Sequence, residues 1–441
     1  MSEAVEHYLS SHESLAPQLP GAELGWLASM RTHGLEHFRQ VGFPTTRQED
    51  WKYTGVTPIE KRNFSKASVE QPALAMDAHR IGGLDCHELV FVDGRYSAQM
   101  SSLGLDTGDI TVTPLAQAIT GSPTLLEQHL GKHASSTQSG FSALNTAFID
   151  DGAVIHLKAG AALDKPLTIL FISSGQTTDM LSQPRVLIVA ESGASATVIE
   201  RYVSATEAVY LNNVVTEVVL GEGANLEHYK LQEECDKAFH IATLQVSQAD
   251  SSRFVSYSIA LGARLARNEI NSQLGEHAIC ELYGLYMATG RQHMDFHTRV
   301  DHTKPHGVSK EFYKGVLDGR GRGVFNGQVY VHPDAQKTDA EQANNNLLLS
   351  RHAEIDTKPQ LEIYADDVKC AHGATVGQLD DNMVFYLRSR GIDATAARGL
   401  LTYGFASEVF ESMGSDAVRE HLRDALVEWL PNAEQVRELV T

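Results

Sequence analysis

Residues 193–231 read GASATVIERYVSATEAVYLNNVVTEVVLGEGANLEHYKL, and the choice of fold turns on that stretch. It holds three short runs, Thr197–Tyr202, Val214–Leu220 and Leu226–Leu231, of which the first two are rich in β-branched residues. Each is the length of a strand rather than of a helix, and none shows a helical period. Glycine turns, Gly193-Ala-Ser-Ala and Gly223-Ala-Asn-Leu, precede the first and third. The same texture begins at Asp151, with further strands expected at Ala153–Leu157, Leu167–Ile172, Val186–Ala190, Phe254–Ile259 and Ile279–Tyr286. The turn signature recurs as Gly160-Ala-Ala-Leu and Gly275-Glu-His-Ala, with Asp250 taking the equivalent place between Gly223 and Gly275. Few neighbouring runs are joined by the Asn-Gly or Asp-Gly loops that favour hairpins, so a solenoid is preferred to a sandwich or barrel. Val154, Ile169, Val198 and Val218 are expected to face its interior in stacked rows.

Working outward, residues 1–150 are expected to be a helical and mixed region, 151–378 the solenoid, and 379–441 a helical region. Leu24, Trp26, Leu27, Met30, Leu35 and Phe38 recur at helical spacing before Gly42 and Pro44 stop the segment. Trp51 and Tyr53, in GFPTTRQEDWKYT (42–54), either anchor another subunit or pin a loop onto the local core. Strand Leu89–Val92 and a helix over Ala116–Leu130, interrupted by Gly121 and Pro123, are the clearest signals between 63 and 148. At the far end, Asp380–Asn382 and Asp393 read as helix N-caps. The second of these helices carries a stripe that includes Ala397, Leu400, Leu401, Phe405, Val409 and Phe410. A third helix is expected over Ser415–Leu430.

Composition narrows the function. With 36 basic against 56 acidic residues, a net charge of −20 disfavours a phosphate backbone or an anionic lipid surface as the main partner. The four cysteines, Cys86, Cys235, Cys280 and Cys370, form no CxxC pair and no disulfide framework. A reducing cytoplasm fits best, and the longest apolar runs are strand-sized, so no membrane span is expected. No P-loop or GxGxxG fingerprint is present, and the chain is not expected to hydrolyse ATP.

Chemistry concentrates in PQLEIYADDVKCAHGATVGQLD (359–380). If this is strand, Cys370 and His372 share one face while the small Ala371 and Gly373 take the other. A single Cys-x-His cannot complete a four-ligand metal site, so further ligands would come from another subunit. His293, His297, His302 and His306 form the densest histidine region, but their irregular gaps fit no standard zinc motif, and hydrogen-bonding roles are favoured over ligation. Asn344–Asn346 suggest an asparagine ladder inside a solenoid turn, or a polar loop.

These residues carry a resemblance. Val300–His302, then YKGVLDGRGRGVFNGQVYVHPDAQKTDAEQANNNLLLS (313–350), KPQLEIYADDVKCAHGATVGQLD (358–380) and FYLRSRGIDATAARGLL (385–401) together resemble the SufB/SufD family of iron–sulfur cluster assembly proteins. The run at 42–54 is most similar to its SufD branch. The resemblance implies a right-handed parallel β-helix between helical N- and C-terminal regions. It implies a non-catalytic scaffold subunit that pairs with SufB and docks the SufC ATPase, with a homodimer of the chain alone left open. In the family's CxHG motif, here Cys370, His372 and Gly373, it implies that His372 faces SufB where the nascent cluster forms, with Cys370 a second candidate ligand. No intrinsic cofactor is implied, only transient iron or a nascent cluster at that interface. It also implies that the C-terminal helices, with Leu400, Leu401 and Phe405, dock SufC. Thiolate and imidazole suit iron–sulfur chemistry, and mixed ligation holds a cluster less tightly than four cysteines do. The competing class, a carbohydrate-active β-helix enzyme, would need paired carboxylates on one exposed solenoid face, and none can be located in the sequence.

Overall fold

The computed structural model describes residues 2–67, 72–105 and 108–440. Its centre is a parallel β-solenoid of about eight turns with helices at both ends. The chain alternates between two sheets, so each sheet pairs every second strand in parallel. The parallel run of the first sheet extends from Gly152–Leu157 to Glu354–Ile363 and that of the second from His87–Val92 to Lys369–Gly377, and an antiparallel strand, Ile110–Pro114 or Arg95–Tyr96, follows at the N-terminal end of each. The N-terminal region therefore lends strands to both sheets, among them His87–Val92, which pairs with Leu167–Ile172, and Ile110–Pro114, which pairs antiparallel with Gly152–Leu157.

Parallel in-register pairing turns sequence alternation into columns. One column on the second sheet runs Val198, His228, Ser256, Leu282, Glu311, Gln342, His372, one residue per coil. Members of a column point the same way, so each contributes to one face at successive levels. The inward faces of both sheets form one continuous core that includes Ile169, Val198 and Val218, as expected. Val154 is the exception: it is buried, but with Leu27, Leu115, Ile119 and Leu126 beneath the N-terminal helices, while Ala153 and Ile155 turn inward. Both faces of that strand are covered, so hydrophobicity did not reveal which was the lumen.

The turn ladder also corrects the sequence reading. Gly160, Gly193 and Gly223 adopt φ of +72°, +69° and +67°, but the equivalents in the next coils are Ser251 (57°) and His277 (57°), not Asp250 and Gly275. Each amide donates to the next coil: Gly193 to the Glu222 carbonyl, Gly223 to Asp250, Ser251 to Glu276 and His277 to Pro305. Stacking hydrogen bonds hold non-glycine residues in the left-handed region, which removes the glycine that marks it in sequence.

Helices Glu3–Leu15 and Gly25–Val41 lie at the N-terminal end. Trp51 pins its loop onto the chain's own core: it is buried, stacks on Phe141 at 5.6 Å, and lies beneath the Arg267 guanidinium at 3.9 Å. The predicted C-terminal helices form at Asp381–Ser389, Ala394–Ser407 and Asp416–Trp429. The Asp380 carboxylate accepts from the Asn382 amide, and that of Asp393 from Thr395 and Ala396, satisfying amides that the first helical turn leaves unpaired. A further helix, Ala433–Val440, follows.

Candidate functional site

The site lies on the last rung of the solenoid. Glu354–Ile363 and Lys369–Gly377 are the terminal strands of the two sheets, each paired on one side. The other edge of each leaves a row of backbone donors and acceptors free to pair. Inward-facing apolar residues of this rung are exposed, with Ile363 at 39% and Val376 at 51%, and Tyr364 beside them at 56%. These apolar side chains, uncovered where the stack ends, form an exposed apolar patch.

Cys370 and His372 occupy this rung as the sequence predicted, on one strand and one face. They differ in environment. Cys370 is half-buried against Ala340, Val329 and Val331, and burial, then the charge of Asp339, pushes its thiol up. His372 is exposed. A groove of about 510 Å³ opens beside it, lined by Lys310, Glu341, Ala371, Gly373, Glu408 and Glu411. The register that places Cys370 over Ala340 also aligns it with Cys280 three coils back, whose thiol burial pushes up to about 12. Cys280 is fully buried and packs in the core of the solenoid.

Polar side chains fill the lumen just inside the last rung, and of these only the asparagines at 344–346 were singled out from sequence. Glu311 is buried, accepts from the Thr298 hydroxyl and from Gln342 Nε2 (3.1 Å), and has its carboxyl raised to about 7 by burial, which outweighs those two hydrogen bonds. Asn344 and Asn346 do face the interior, but as two positions of one strand in a network that crosses coils rather than as a stacked ladder of asparagines. Asn346 Nδ2 donates to Asn344 Oδ1 (2.6 Å), and Asn344 Nδ2 to the Tyr286 hydroxyl (3.0 Å). Farther back, His228 meets Glu200 at 3.1 Å and His240 meets Glu234 at 2.8 Å, all four side chains buried. Lys230 donates to Asn268 at 2.7 Å and burial lowers its ammonium to about 8. The sequence signal for these was polar residues at lumen-parity positions in otherwise apolar strands.

The four histidines at 293–306 do not converge. His293 bonds the Thr54 hydroxyl, His297 pairs with Asp295, His302 faces the lumen and bonds Ser309, and His306 stacks on His277 in the turns. Among the described residues, no three His, Cys, Asp or Glu side chains group as a metal site. Of the acidic turn nearby, Asp367 is spent on Lys337.

The C-terminal stripe divides. Ala397, Val409 and Phe410 are buried, whereas Leu400, Leu401 and Phe405 are half-buried. Phe405 packs on the outer face of the second sheet, with the Lys314 ammonium 4.3 Å from its ring centre. The apolar residues open to solvent are on the preceding helix: Met383 at 57%, Phe385 at 71% and Tyr386 at 57%. The sequence reading missed these because they follow the cap too closely to form a stripe.

The chain is thus a parallel β-solenoid with helices before and after it that carries a Cys/His pair on its open terminal rung. Residues 171–405 match the family model described as the SUF system FeS cluster assembly, SufBD core domain, and residues 3–169 match the SufBD protein N-terminal region. The chain belongs to the SufBD family of iron–sulfur cluster assembly proteins. An iron-sulfur cluster assembly SufBD family protein of Synechocystis sp. is 33% identical over 419 residues, 92% of each chain. The iron-sulfur cluster assembly protein SufD of Escherichia coli is 33% identical over 402 residues, 90% of this chain and 92% of that one. The chloroplastic protein ABCI7 of Arabidopsis thaliana is 29% identical over 435 residues, 96% of this chain and 89% of that one. Among the described residues no helix is long and apolar enough to cross a membrane.

Proposed function

We propose that the chain is a SufD-like, non-catalytic scaffold subunit that pairs with SufB through its last solenoid rung, docks the SufC ATPase through its C-terminal helices, and works in the cytoplasm. One observation carries this: His372 and Cys370 stand on the rung where both sheets end with unpaired edges and exposed interior residues. Strand addition there would continue the sheets into the partner and cover Ile363 and Val376. The same docking brings partner ligands to His372, which supplies one imidazole to iron or a nascent cluster as cargo. Cys370, more buried, is the secondary ligand. ATP hydrolysis belongs to SufC. The exposed Met383, Phe385 and Tyr386 extend the surface offered to it beyond Leu400, Leu401 and Phe405.

The test is His372→Ala beside Cys370→Ser in the complex purified after anaerobic expression. His372→Ala should change stability by less than about 0.5 kcal/mol, as an exposed side chain does. Cluster absorbance, iron and acid-labile sulfide should fall to background, with a milder loss for Cys370→Ser. A His372→Ala complex carrying wild-type cluster would remove the assignment.

A further inference from the structure

The lumen behind His372 holds a buried acceptor that is unused. Gln342 is 3% exposed, its Nε2 is committed to Glu311, and its Oε1 has no hydrogen-bond partner among the described residues. Its amide reaches across the lumen to Gly327 of the opposite sheet, where an added Cβ would lie 2.2 Å from Nε2. Any side chain at 327 would displace it. Glu311 fixes the amide from below, since its carboxylate also receives the Thr298 hydroxyl. Leaving a buried carbonyl oxygen unpaired costs about 1–3 kcal/mol, so a donor within reach is favoured.

The donors of the adjoining rung are few. Inward positions there are Ile355, Thr357, Pro359, Leu361 and Ile363 on one sheet and Cys370, His372, Ala374 and Val376 on the other. The Thr357 hydroxyl is spent on Asn344 Oδ1 at 2.8 Å. Pro359 has no N–H, and Cys370 stacks on Ala340, one inward position away. Tyr313, whose hydroxyl is also unpartnered, lies over Gly284 one coil back. His372 is the direct register partner of Gln342, about 4.8 Å away along the stack.

We infer that Gln342, clamped by Glu311 and admitted by Gly327, is the positioning residue for His372: the two do not bond in this structure, where His372 is exposed and the amide oxygen is free, and a turn of the His372 ring toward the lumen lets that oxygen accept one imidazole N–H. The bond fixes the tautomer and turns the other ring nitrogen, with its lone pair, outward. Metal-binding histidines are commonly oriented this way by a carbonyl on the second nitrogen. The inference rests on the assignment of His372 above and deepens it, because a preset tautomer would let an exposed histidine capture iron without first reorganising.

The experiment reads the tautomer directly. In the full chain labelled with ¹⁵N-histidine, the His372 ring signals are identified by their loss in His372→Ala. Wild type should show one neutral tautomer. Gln342→Met, which keeps the length of the side chain but has no acceptor, should give a mixture, and Gln342→Glu should restore a single form. A wild-type mixture, or an unchanged single tautomer in Gln342→Met, would overturn the inference. A thermal melt of Gln342→Met close to wild type ties the change to the lost acceptor, whereas a melt showing an unfolded Gln342→Met leaves the wild-type tautomer and the Gln342→Glu spectrum to decide. Wild-type cluster in His372→Ala would instead remove the ligand role while leaving the tautomer result standing, so the two failures are distinguishable.

Discussion

At the scale of single residues, the interior of this solenoid trades hydrophobic burial for polar order. Glu311 is the clearest case, a carboxyl fully inside the lumen with two neutral donors and, among the described residues, no cation against it. Its value rises from 4.5 to about 7 because burial disfavours the ionised form. The folded state then binds more protons than the unfolded chain between those values. Stability therefore falls as pH rises from about 4.5 to about 7, and the penalty is complete above 7. Its size is about 3 kcal/mol by linkage. Glu311→Gln should remove this dependence, gaining on wild type between pH 5 and pH 8 in urea denaturation. Parallel curves for the two proteins would mean that Glu311 is ionised without penalty.

At the scale of elements, the helix Asp381–Ser389 and the last rung make separate demands. The helix has no fully buried residue, and its Met383, Phe385 and Tyr386 side chains are exposed to solvent. Phe385→Asp should leave the melting temperature of the isolated chain unchanged, yet release the ATPase partner on gel filtration while the SufB-like partner stays bound. Loss of both partners together would show that the helix belongs to the strand interface. Within the solenoid, Lys230 is held between the Glu200 and Glu234 charges with its ammonium on Asn268. Lys230→Ala leaves those carboxylates without their buried cation and should cost about 3–5 kcal/mol, whereas surface lysines cost little. A change below about 1 kcal/mol in chemical denaturation would contradict the buried charge network.

At the scale of the whole molecule, the two ends of the solenoid are treated differently. The N-terminal end is capped by the antiparallel strands Ile110–Pro114 and Arg95–Tyr96, while the N-terminal helices and their aromatic packing, such as Phe43 on Phe38 at 5.3 Å, cover the outer face of the first sheet over Leu211, Phe239 and Leu265. The C-terminal end exposes Ile363 and Val376 from the lumen rows and leaves both strand edges free. Replacing both residues by Lys should leave the chain folded but lower the mass of the assembly in native mass spectrometry, since charge on an edge blocks strand addition. An assembly of unchanged mass would place the partner interface elsewhere.

Much of this was legible in the sequence because it is local. Strand length, β-branched composition, the glycine turns at 160, 193 and 223, and the caps at Asp380 and Asp393 follow from backbone preferences that each segment carries by itself. The Cys370/His372 pair was legible too, since the two-residue period puts both on one face wherever the strand lies. The tertiary structure decided what depends on coils stacking. Alternation defines two faces but not which is the lumen, so Val154 could be assigned only once both sheets and the N-terminal helices were in place. Coil lengths vary, so the residues meeting in a column could not be counted from sequence, and Glu311, Gln342 and His372 stayed unconnected until the register joined them. Hydrogen bonds between coils hold Ser251 and His277 where glycine would be expected. Their conformation is a property of the stack, not of the residues, and that is why the sequence alone could not place them.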